Sequence, residues 1–187
     1  MNTNESSETY PSKLGQEFLI KARTRIELQK KLAERAIAQV QQDSKLNYCI
    51  DNESNSIAII IHHLSGNIIS RWTDFFTSDG EKTNRNRPQE FERSFTPSRK
   101  ELMEIWDHGW DVFFKALDSL KPEDLLKIVY VRKEPLSVLD AILRQLTHYS
   151  SHIGQILFLA KHLEWENWKH VTLERNAEIF DVKDIKK

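Results

Sequence analysis

The stretch AILRQLTHYSSHIGQILFLAKHL, residues 141–163, combines a helical apolar pattern with two histidines four positions apart. Its apolar residues recur every three or four positions, which predicts a helix over residues 137–163 with one buried face. On a helical wheel centred on Ile142, His148 and His152 lie at about −120° and −80°, along one edge of the apolar stripe. The stretch therefore predicts a long helix that presents two imidazoles side by side.

Three further helices are predicted by the same periodicity. Apolar residues recur with helical spacing over residues 13–42, 55–76 and about 96–120. We expect Thr96 to cap the third of these helices and Pro97 to lie in its first turn, because both residue types favour helix starts. Four long amphipathic helices predict an all-α fold.

The connections between these helices differ in length and composition. Residues 77–95 combine Gly, Pro, Asn and charged residues, and are longer than the usual connection in a compact domain. The segment KIVYVR, residues 127–132, predicts a short extended segment or small hairpin before the last helix, ended by Pro135. Four helices with one long connection predict a four-helix bundle with a long crossover.

The length of the chain, 187 residues, suits a single domain that buries a sizeable core. We assign this bundle domain to residues 13–170. A flexible N-terminus is expected over residues 1–12 and a polar C-terminal tail over residues 171–187, since neither segment carries a sustained helical pattern.

Charge and composition exclude several classes of protein. The 27 basic and 28 acidic residues are interspersed and give a net charge of −1, so no broad basic surface is available for nucleic acid or an anionic membrane. The single cysteine, Cys49, cannot form an internal disulfide, and the polar start MNTNESSETYPSK lacks the apolar region of a secretory signal. No apolar run approaches the roughly 18 residues of a spanning helix. We therefore expect a soluble, cytoplasmic protein that binds neither nucleic acid nor membrane.

The histidine pair suggests a metal site. Imidazoles at positions i and i+4 stand close enough on a helix to reach one divalent ion, as His148 and His152 would. On a wheel centred on Ile57, His63 lies near −120°, at the edge of its stripe, whereas His62 lies near +140° and points towards solvent. Three histidines with an open fourth position are typical of a catalytic metal site. Spacing alone favours an ordinary surface or hydrogen-bonded pair of histidines over a metal site, because isolated pairs with this spacing are common on helices.

Other notable residues carry weaker signals. His108, His162 and His170 lack companions that could share a ligand, so we expect them in solvent. Gly66 and Gly109 lie within predicted helices, where glycine costs about 1 kcal/mol relative to alanine. They indicate close packing or an approach to the backbone.

Three segments carry a resemblance to a known group of proteins. They are IIIHHLSGNIISRWTDFFTSDGEK (residues 59–82), LMEIWDHGW (residues 102–110) and the stretch at residues 141–163. Together they resemble the DinB-like superfamily of metal-dependent proteins, specifically an uncharacterised bacterial branch, over roughly residues 15–170. The resemblance implies a four-helix bundle with a long crossover, often assembled as a homodimer.

The resemblance also implies a divalent metal held by three histidines in a cleft. Position by position, these ligands correspond to His63, His148 and His152, and the correspondence disfavours His62. Zinc is the first choice of metal, although imidazoles also accept Ni, Fe, Mn or Co.

Characterised members of this superfamily suggest a reaction. They include S-transferases that use a low-molecular-weight thiol such as bacillithiol or mycothiol, and a maleylpyruvate isomerase that requires such a thiol. The leading hypothesis is therefore a thiol S-transferase that joins a small-molecule thiol to an electrophilic substrate. A metal-dependent hydrolase and a non-catalytic, stress-associated metal-binding protein remain alternatives, because fold alone does not decide function.

Each enzyme hypothesis needs helper residues. Arg71, Arg144 or residues of the 77–95 segment could bind the carboxylates of a thiol, although solvated charges explain these arginines equally well. Hydrolysis requires a general base. Asp74 and Glu104 are candidates for that role, but each also suits an ordinary surface position.

Overall fold

The computed structural model describes residues 10–172, and long α-helices make up most of this part of the chain. The helices of this part of the chain are α1 (Tyr10–Ile37), α2 (Asp43–Leu46), α3 (Ile57–Trp72), α4 (Arg99–Asp118) and α5 (Val138–Leu163). A two-stranded antiparallel sheet of β1 (Ile128–Val131) and β2 (Glu134–Ser137) precedes α5. The fold is mostly helical, and the extended segment predicted at residues 127–132 forms the first strand of this hairpin.

Serine caps fix the starts of the helices that form the site. Ser56 Oγ accepts a hydrogen bond from the Ile59 amide at the start of α3, and Ser137 Oγ accepts one from the Asp140 amide at the start of α5. The predicted start of α4 is wrong by two residues, because the cap is Ser98 and not Thr96. Ser98 and Glu101 form a reciprocal capping box that satisfies two backbone N–H groups.

The first predicted helix, residues 13–42, ends five residues earlier than predicted. Helix α1 ends at Ile37, and the chain turns before the short helix α2. The guanidinium of Arg99 donates hydrogen bonds to the carbonyl oxygen of Ile37, the last residue of α1, and to that of Val40 in the following turn.

The predicted terminal segments fall largely beyond the part of the chain that the structure covers. Residues 1–9 of the expected flexible N-terminus and residues 173–187 of the expected polar tail lie outside the described residues. Residues 10–12 belong to α1.

Helix α3 packs against α4, and α5 packs against α1. Helices α3 and α5 also contact each other. Trp106, Trp110 and Phe113 of α4 are fully buried in the core. Trp72 Nε1 donates a hydrogen bond of 2.9 Å to the hydroxyl of Tyr149, which joins α3 to α5. No helix within residues 10–172 has the length and apolar character needed to cross a membrane.

The close packing expected at Gly109 occurs between α3 and α4. A Cβ atom at Gly109 would lie 2.8 Å from Ser65 Oγ and 3.1 Å from Ser65 Cα. Because the second contact involves backbone, a side chain at this position would force the two helices apart.

The hairpin turn is strained and is held by the long connection after α3. Arg132 and Lys133 have φ angles of 56° and 66°, which non-glycine residues rarely adopt. Both backbone N–H groups donate to the carboxylate of Asp79, at 2.8 and 2.7 Å. The connection, which also contains a 3₁₀ turn over Pro88–Phe91, is therefore packed against the hairpin at one point and α3 at another.

Candidate metal centre

Three histidines from two helices converge at the contact between α3 and α5. The ring centroid of His63 lies 5.5 Å from that of His148 and 5.0 Å from that of His152, and the last two lie 4.7 Å apart. One nitrogen atom from each ring lies within 4.8 Å of the others. Nitrogens that share a tetrahedral zinc ion are separated by about 3.3 Å, so small ring rotations are enough for these three to hold one metal ion.

The cluster is closed on the α3 side and open on the α5 side. His63 is buried, with 5% of its surface exposed, whereas His148 and His152 are half-buried. Three protein ligands with one accessible side leave a coordination position for water or another small molecule.

The His63 ring is oriented by a buried carboxylate. His63 Nδ1 lies 2.9 Å from Oε2 of Glu90, and the Glu90 residue is only 4% exposed. Burial acts to raise the pKa of Glu90, but the hydrogen bonds from His63 and Arg85 outweigh it and hold that pKa below its usual range. An ionised carboxylate accepts the Nδ1–H proton, which leaves the Nε2 lone pair free for a metal.

Arg85 and Gly66 hold this carboxylate in place. Arg85 Nε donates to Glu90 Oε1 at 2.7 Å and Arg85 Nη2 donates to Oε2 at 2.8 Å, a bidentate pairing. Gly66 lies one turn after His63 on α3, and a Cβ atom there would lie 2.9 Å from Glu90 Cδ and closer still to Oε1. The glycine predicted to mark a close approach thus makes room for the carboxylate that orients His63.

A charge network, defined as Arg71, Glu81, Arg85, Glu90 and Arg132, continues from the centre to the hairpin. Glu81 accepts from Arg71 and Arg132, each at 2.9 Å, and from Arg85 at 3.3 Å. Burial acts to raise the pKa of Glu81. The hydrogen bonds and positive charges of Arg71, Arg132 and Arg85 together outweigh burial, so the pKa of Glu81 lies below its usual value. The network joins α3, the long connection and the hairpin turn behind the histidines.

The two histidines on α5 are held in their neutral form. Burial lowers the pKa of His148 to about 4, helped by repulsion from His152 and His63 and from the nearby arginines. Burial also lowers the pKa of His152, whose Nδ1 lies 2.9 Å from Oε1 of Gln155. Among residues 10–172, no group forms a hydrogen bond with the buried Nδ1 of His148. Neutral imidazole is the form that binds metals, so this donor set fits a divalent cation.

The neighbouring His62 lies away from this cluster. Its ring stacks on Phe95 with centroids 4.1 Å apart, so the long connection covers it, and the expectation that it points to solvent is wrong. The other three histidines, His108, His162 and His170, are exposed as expected.

The four helper residues predicted by name do not belong to the histidine cluster. Asp74 and Glu104 are exposed, and neither belongs to the cluster of potential metal ligands. Arg71 is buried and bonded to Glu81 and to the carbonyl of Gly80. Arg144 is exposed and lies on α5 one turn before His148.

Glu90 and Arg85 are the functional residues that the sequence did not reveal. Both lie in the long connection, residues 77–95, and loops of this length in compact domains are commonly functional. The segment RPQEF has the proline and acidic residue of a short helical start at residues 87–91, but nothing local indicates that its carboxylate meets His63.

Comparison with known proteins identifies a family for this chain but does not indicate an activity. The model of a family described as a protein of unknown function, DUF1572, matches residues 13–177, most of the chain. Neither the curated proteins nor the solved structures include a match to this chain.

Proposed function

We propose that this chain, which belongs to the DUF1572 family of proteins of unknown function, is an enzyme that depends on a divalent metal. The observation that carries this proposal is the cluster of His63, His148 and His152, in which a buried Glu90 orients one ring. A carboxylate behind a metal-binding histidine is a recurring feature of metal sites, because it fixes the tautomer of the ring. Zinc is the first candidate, followed by Ni, Fe, Mn and Co.

We further infer a four-helix bundle of the DinB-like kind, with a long crossover between α3 and α4. Four helices, α1, α3, α4 and α5, have at least 16 residues, and pairs of them pack together. The resemblance of the sequence to the DinB-like superfamily supports the same arrangement. A homodimer is an expectation of that resemblance, whereas the cytoplasmic location is expected from the single cysteine and the polar start of the chain.

The proposed reaction is the transfer of a low-molecular-weight thiol, such as bacillithiol or mycothiol, to an electrophilic carbon. When bound, the metal would stabilise the thiolate form of a coordinated thiol and so lower its pKa. In the overall reaction the sulfur forms a bond to carbon, the leaving group departs with its electron pair, and the thiol proton goes to solvent. His63, His148 and His152 act as ligands, and Glu90 acts as a positioning residue.

Metal-dependent hydrolysis has less support. Hydrolysis of an ester or amide also requires a group that carries a proton from the metal-activated water to the leaving group. The potential ligand cluster within residues 10–172 contains no carboxylate, and Glu90 is engaged by His63 and Arg85. A thiol activated by a metal needs no such group, which favours the transferase.

Metal content tests the first step of this proposal, and the adjacent histidines of α3 provide a matched pair of variants. Protein purified without a histidine tag is expected to contain about one divalent metal per chain by elemental analysis. His63→Ala should abolish this content, whereas His62→Ala should retain it. A metal-free wild-type protein, or equal loss in both variants, would contradict the metal centre.

Incubation of the metal-loaded protein with monochlorobimane and a panel of thiols tests the reaction itself. We expect metal-dependent conjugation with at least one thiol, lost in His63→Ala. If no thiol is conjugated while metal is bound, the protein is not a thiol transferase, and the hydrolase and the non-catalytic metal-binding protein become the better candidates.

A further inference from the structure

A hydrogen bond within α5 orients a second ring of the metal centre. His152 Nδ1 lies 2.9 Å from Oε1 of Gln155, three residues further along the same helix. Residues three apart are neighbours on a helix surface, so α5 itself brings these two side chains together. An amide oxygen only accepts hydrogen bonds, and Nδ1 is therefore the ring nitrogen that carries the proton in this contact.

Gln155 faces His152 in the same way as Glu90 faces His63. In each pair an acceptor oxygen lies 2.9 Å from Nδ1, so the other ring nitrogen, Nε2, keeps its lone pair for a metal. His148 differs, because its buried Nδ1 has no hydrogen-bond partner in the described part of the chain. Two of the three rings thus have an outside group that selects the tautomer needed for metal binding through Nε2.

The two acceptors differ in charge and in surroundings. Glu90 is buried, ionised and held by Arg85, whereas Gln155 is exposed and neutral. Among residues 10–172, the Gln155 side chain forms a hydrogen bond with His152 alone. A carboxylate only accepts, but an amide that turns by 180° presents N–H donors in place of its oxygen. In that orientation Nδ1 of His152 accepts and Nε2 carries the proton, so neither ring nitrogen is free for a metal.

We propose that Gln155 is a positioning residue of the metal centre, whose amide oxygen holds His152 in the form with a proton on Nδ1. The inference rests on the proposed metal centre and deepens it, because it assigns the residue that selects the tautomer of a second ligand. Gln155 holds its ring less firmly than Glu90 does, since a neutral acceptor forms the weaker hydrogen bond. A substitution at this exposed position therefore changes metal affinity in either direction.

Two substitutions of Gln155 test the role of the acceptor. Gln155→Met removes the hydrogen bond and should lower Zn²⁺ affinity by about three- to tenfold, the range of one hydrogen bond. Gln155→Glu supplies a charged acceptor that cannot donate, so Zn²⁺ affinity should rise above that of the wild type by about threefold or more. Competition with a chromophoric chelator measures both changes.

Ser150→Glu is the matched control for the added charge. Ser150 is exposed and lies on α5 two residues before His152, about 200° away around the helix axis. A carboxylate there changes the net charge as Gln155→Glu does but is directed away from the His152 ring. This variant should bind Zn²⁺ with the affinity of the wild type.

Nitrogen NMR of the histidine rings gives a readout that a merely structural role would not change. Couplings from the ring carbon-bound protons to Nδ1 and Nε2 report which nitrogen carries the proton. In the metal-free protein with neutral rings, we expect the Nδ1–H form of His152 to predominate in the wild type. Its population should increase in Gln155→Glu and decrease in Gln155→Met.

The outcomes separate this inference from the proposed function. Wild-type protein that binds no metal overturns both. If the wild type binds Zn²⁺ and both Gln155 variants keep its affinity and its His152 tautomer, Gln155 is an ordinary surface residue and the inference alone is overturned. An equal rise of affinity in Gln155→Glu and Ser150→Glu also overturns it, because the effect is then one of charge. Gln155→Glu is sufficient to decide if Gln155→Met does not fold.

Discussion

Two adjacent histidines show how much the surroundings of a residue decide its chemistry. His62 and His63 are neighbours on α3, yet His62 stacks on Phe95 while His63 lies between Glu90 and the histidines of α5. The difference is one step of about 100° around the helix axis. At the residue scale, the ionised Glu90 distinguishes His63 further, because it fixes the position of the ring proton.

Replacement of Glu90 tests this role. Glu90→Gln removes the charge that holds the Nδ1 proton and leaves Arg85 with only its longer contact to Glu81, so we expect metal affinity to fall by about 10- to 100-fold. Competition with a chromophoric chelator measures the change. Glu92→Gln, at an exposed position two residues on, should bind metal as the wild type does; equal affinity in both variants would show that Glu90 has no part in metal binding.

The low pKa of His148 predicts a pH dependence for the metal-free protein. In the unfolded chain this ring gains a proton as the pH falls through about 6.5, whereas in the folded protein it stays neutral down to about 4. The unfolded state thus binds more protons in this window, and the free energy of unfolding should decrease as the pH is lowered through it. Allowing for partial solvent exposure, we expect a loss of about 1–2 kcal/mol from this residue.

Urea unfolding of metal-free protein at pH 7 and pH 4.5 measures this contribution. The loss of stability should be smaller in His148→Gln than in wild type, because glutamine does not titrate. His108→Gln replaces an exposed histidine and should retain the wild-type pH dependence. Identical behaviour of His148→Gln and wild type would mean that His148 titrates normally in the folded protein.

At the scale of elements, two glycines within helices differ in whether a neighbouring group needs the space that their missing side chains leave. Gly66 on α3 faces the Glu90 carboxylate, whereas Gly154 on α5 has no atom within 4 Å of the position a Cβ would take. Both cost helix stability relative to alanine. Only Gly66 has a structural reason for that cost, because its missing side chain lets the 3₁₀ turn of the long connection approach α3.

A pair of alanine substitutions makes this difference measurable. Gly66→Ala should push the Glu90 carboxylate from its position, lowering metal affinity by about tenfold and the free energy of unfolding by about 1–3 kcal/mol. Gly154→Ala should raise the free energy of unfolding by about 0.5–1 kcal/mol and leave metal affinity unchanged. Chemical denaturation and chelator competition test both, and a Gly66→Ala protein with unaltered metal affinity would contradict the packing argument.

At the scale of the whole molecule, the candidate centre joins segments that are far apart in the chain. His63 comes from the second quarter of the sequence and His148 from the last quarter. The charge network links the connection between α3 and α4 to the hairpin before α5. A metal bound between α3 and α5 would link these helices in the folded state only. Binding to the folded state stabilises it by mass action.

Zinc should therefore raise the stability of the complete fold. With free zinc at about 100 times its dissociation constant, we expect the free energy of unfolding to rise by about 2.7 kcal/mol, seen as a higher midpoint of thermal unfolding. The rise should be present in His62→Ala and absent in His63→Ala. Stabilisation of the His63→Ala protein by zinc would place the metal elsewhere on the chain.

The sequence by itself determined the features that depend on local periodicity. The apolar spacing predicted the helices α3, α4 and α5 to within a few residues, because a helix buries whichever face its apolar residues share. The same geometry placed His148 and His152 on one edge of α5 and separated His63 from His62. The prediction for the first helix is wrong at its C-terminal end, Ile37, where Arg99, distant in the chain, donates to the carbonyls of Ile37 and Val40.

Only the tertiary structure decided which groups surround the histidines. The contacts of Glu90 with His63, of Asp79 with the hairpin turn, and of Arg85 with both Glu81 and Glu90 involve residues of an irregular connection. No periodicity relates such residues to their partners, and their side chains are positioned by packing that the whole fold must first create. Helix formation is local and can be predicted from spacing, whereas the environment of the candidate metal centre depends on contacts between distant parts of the chain.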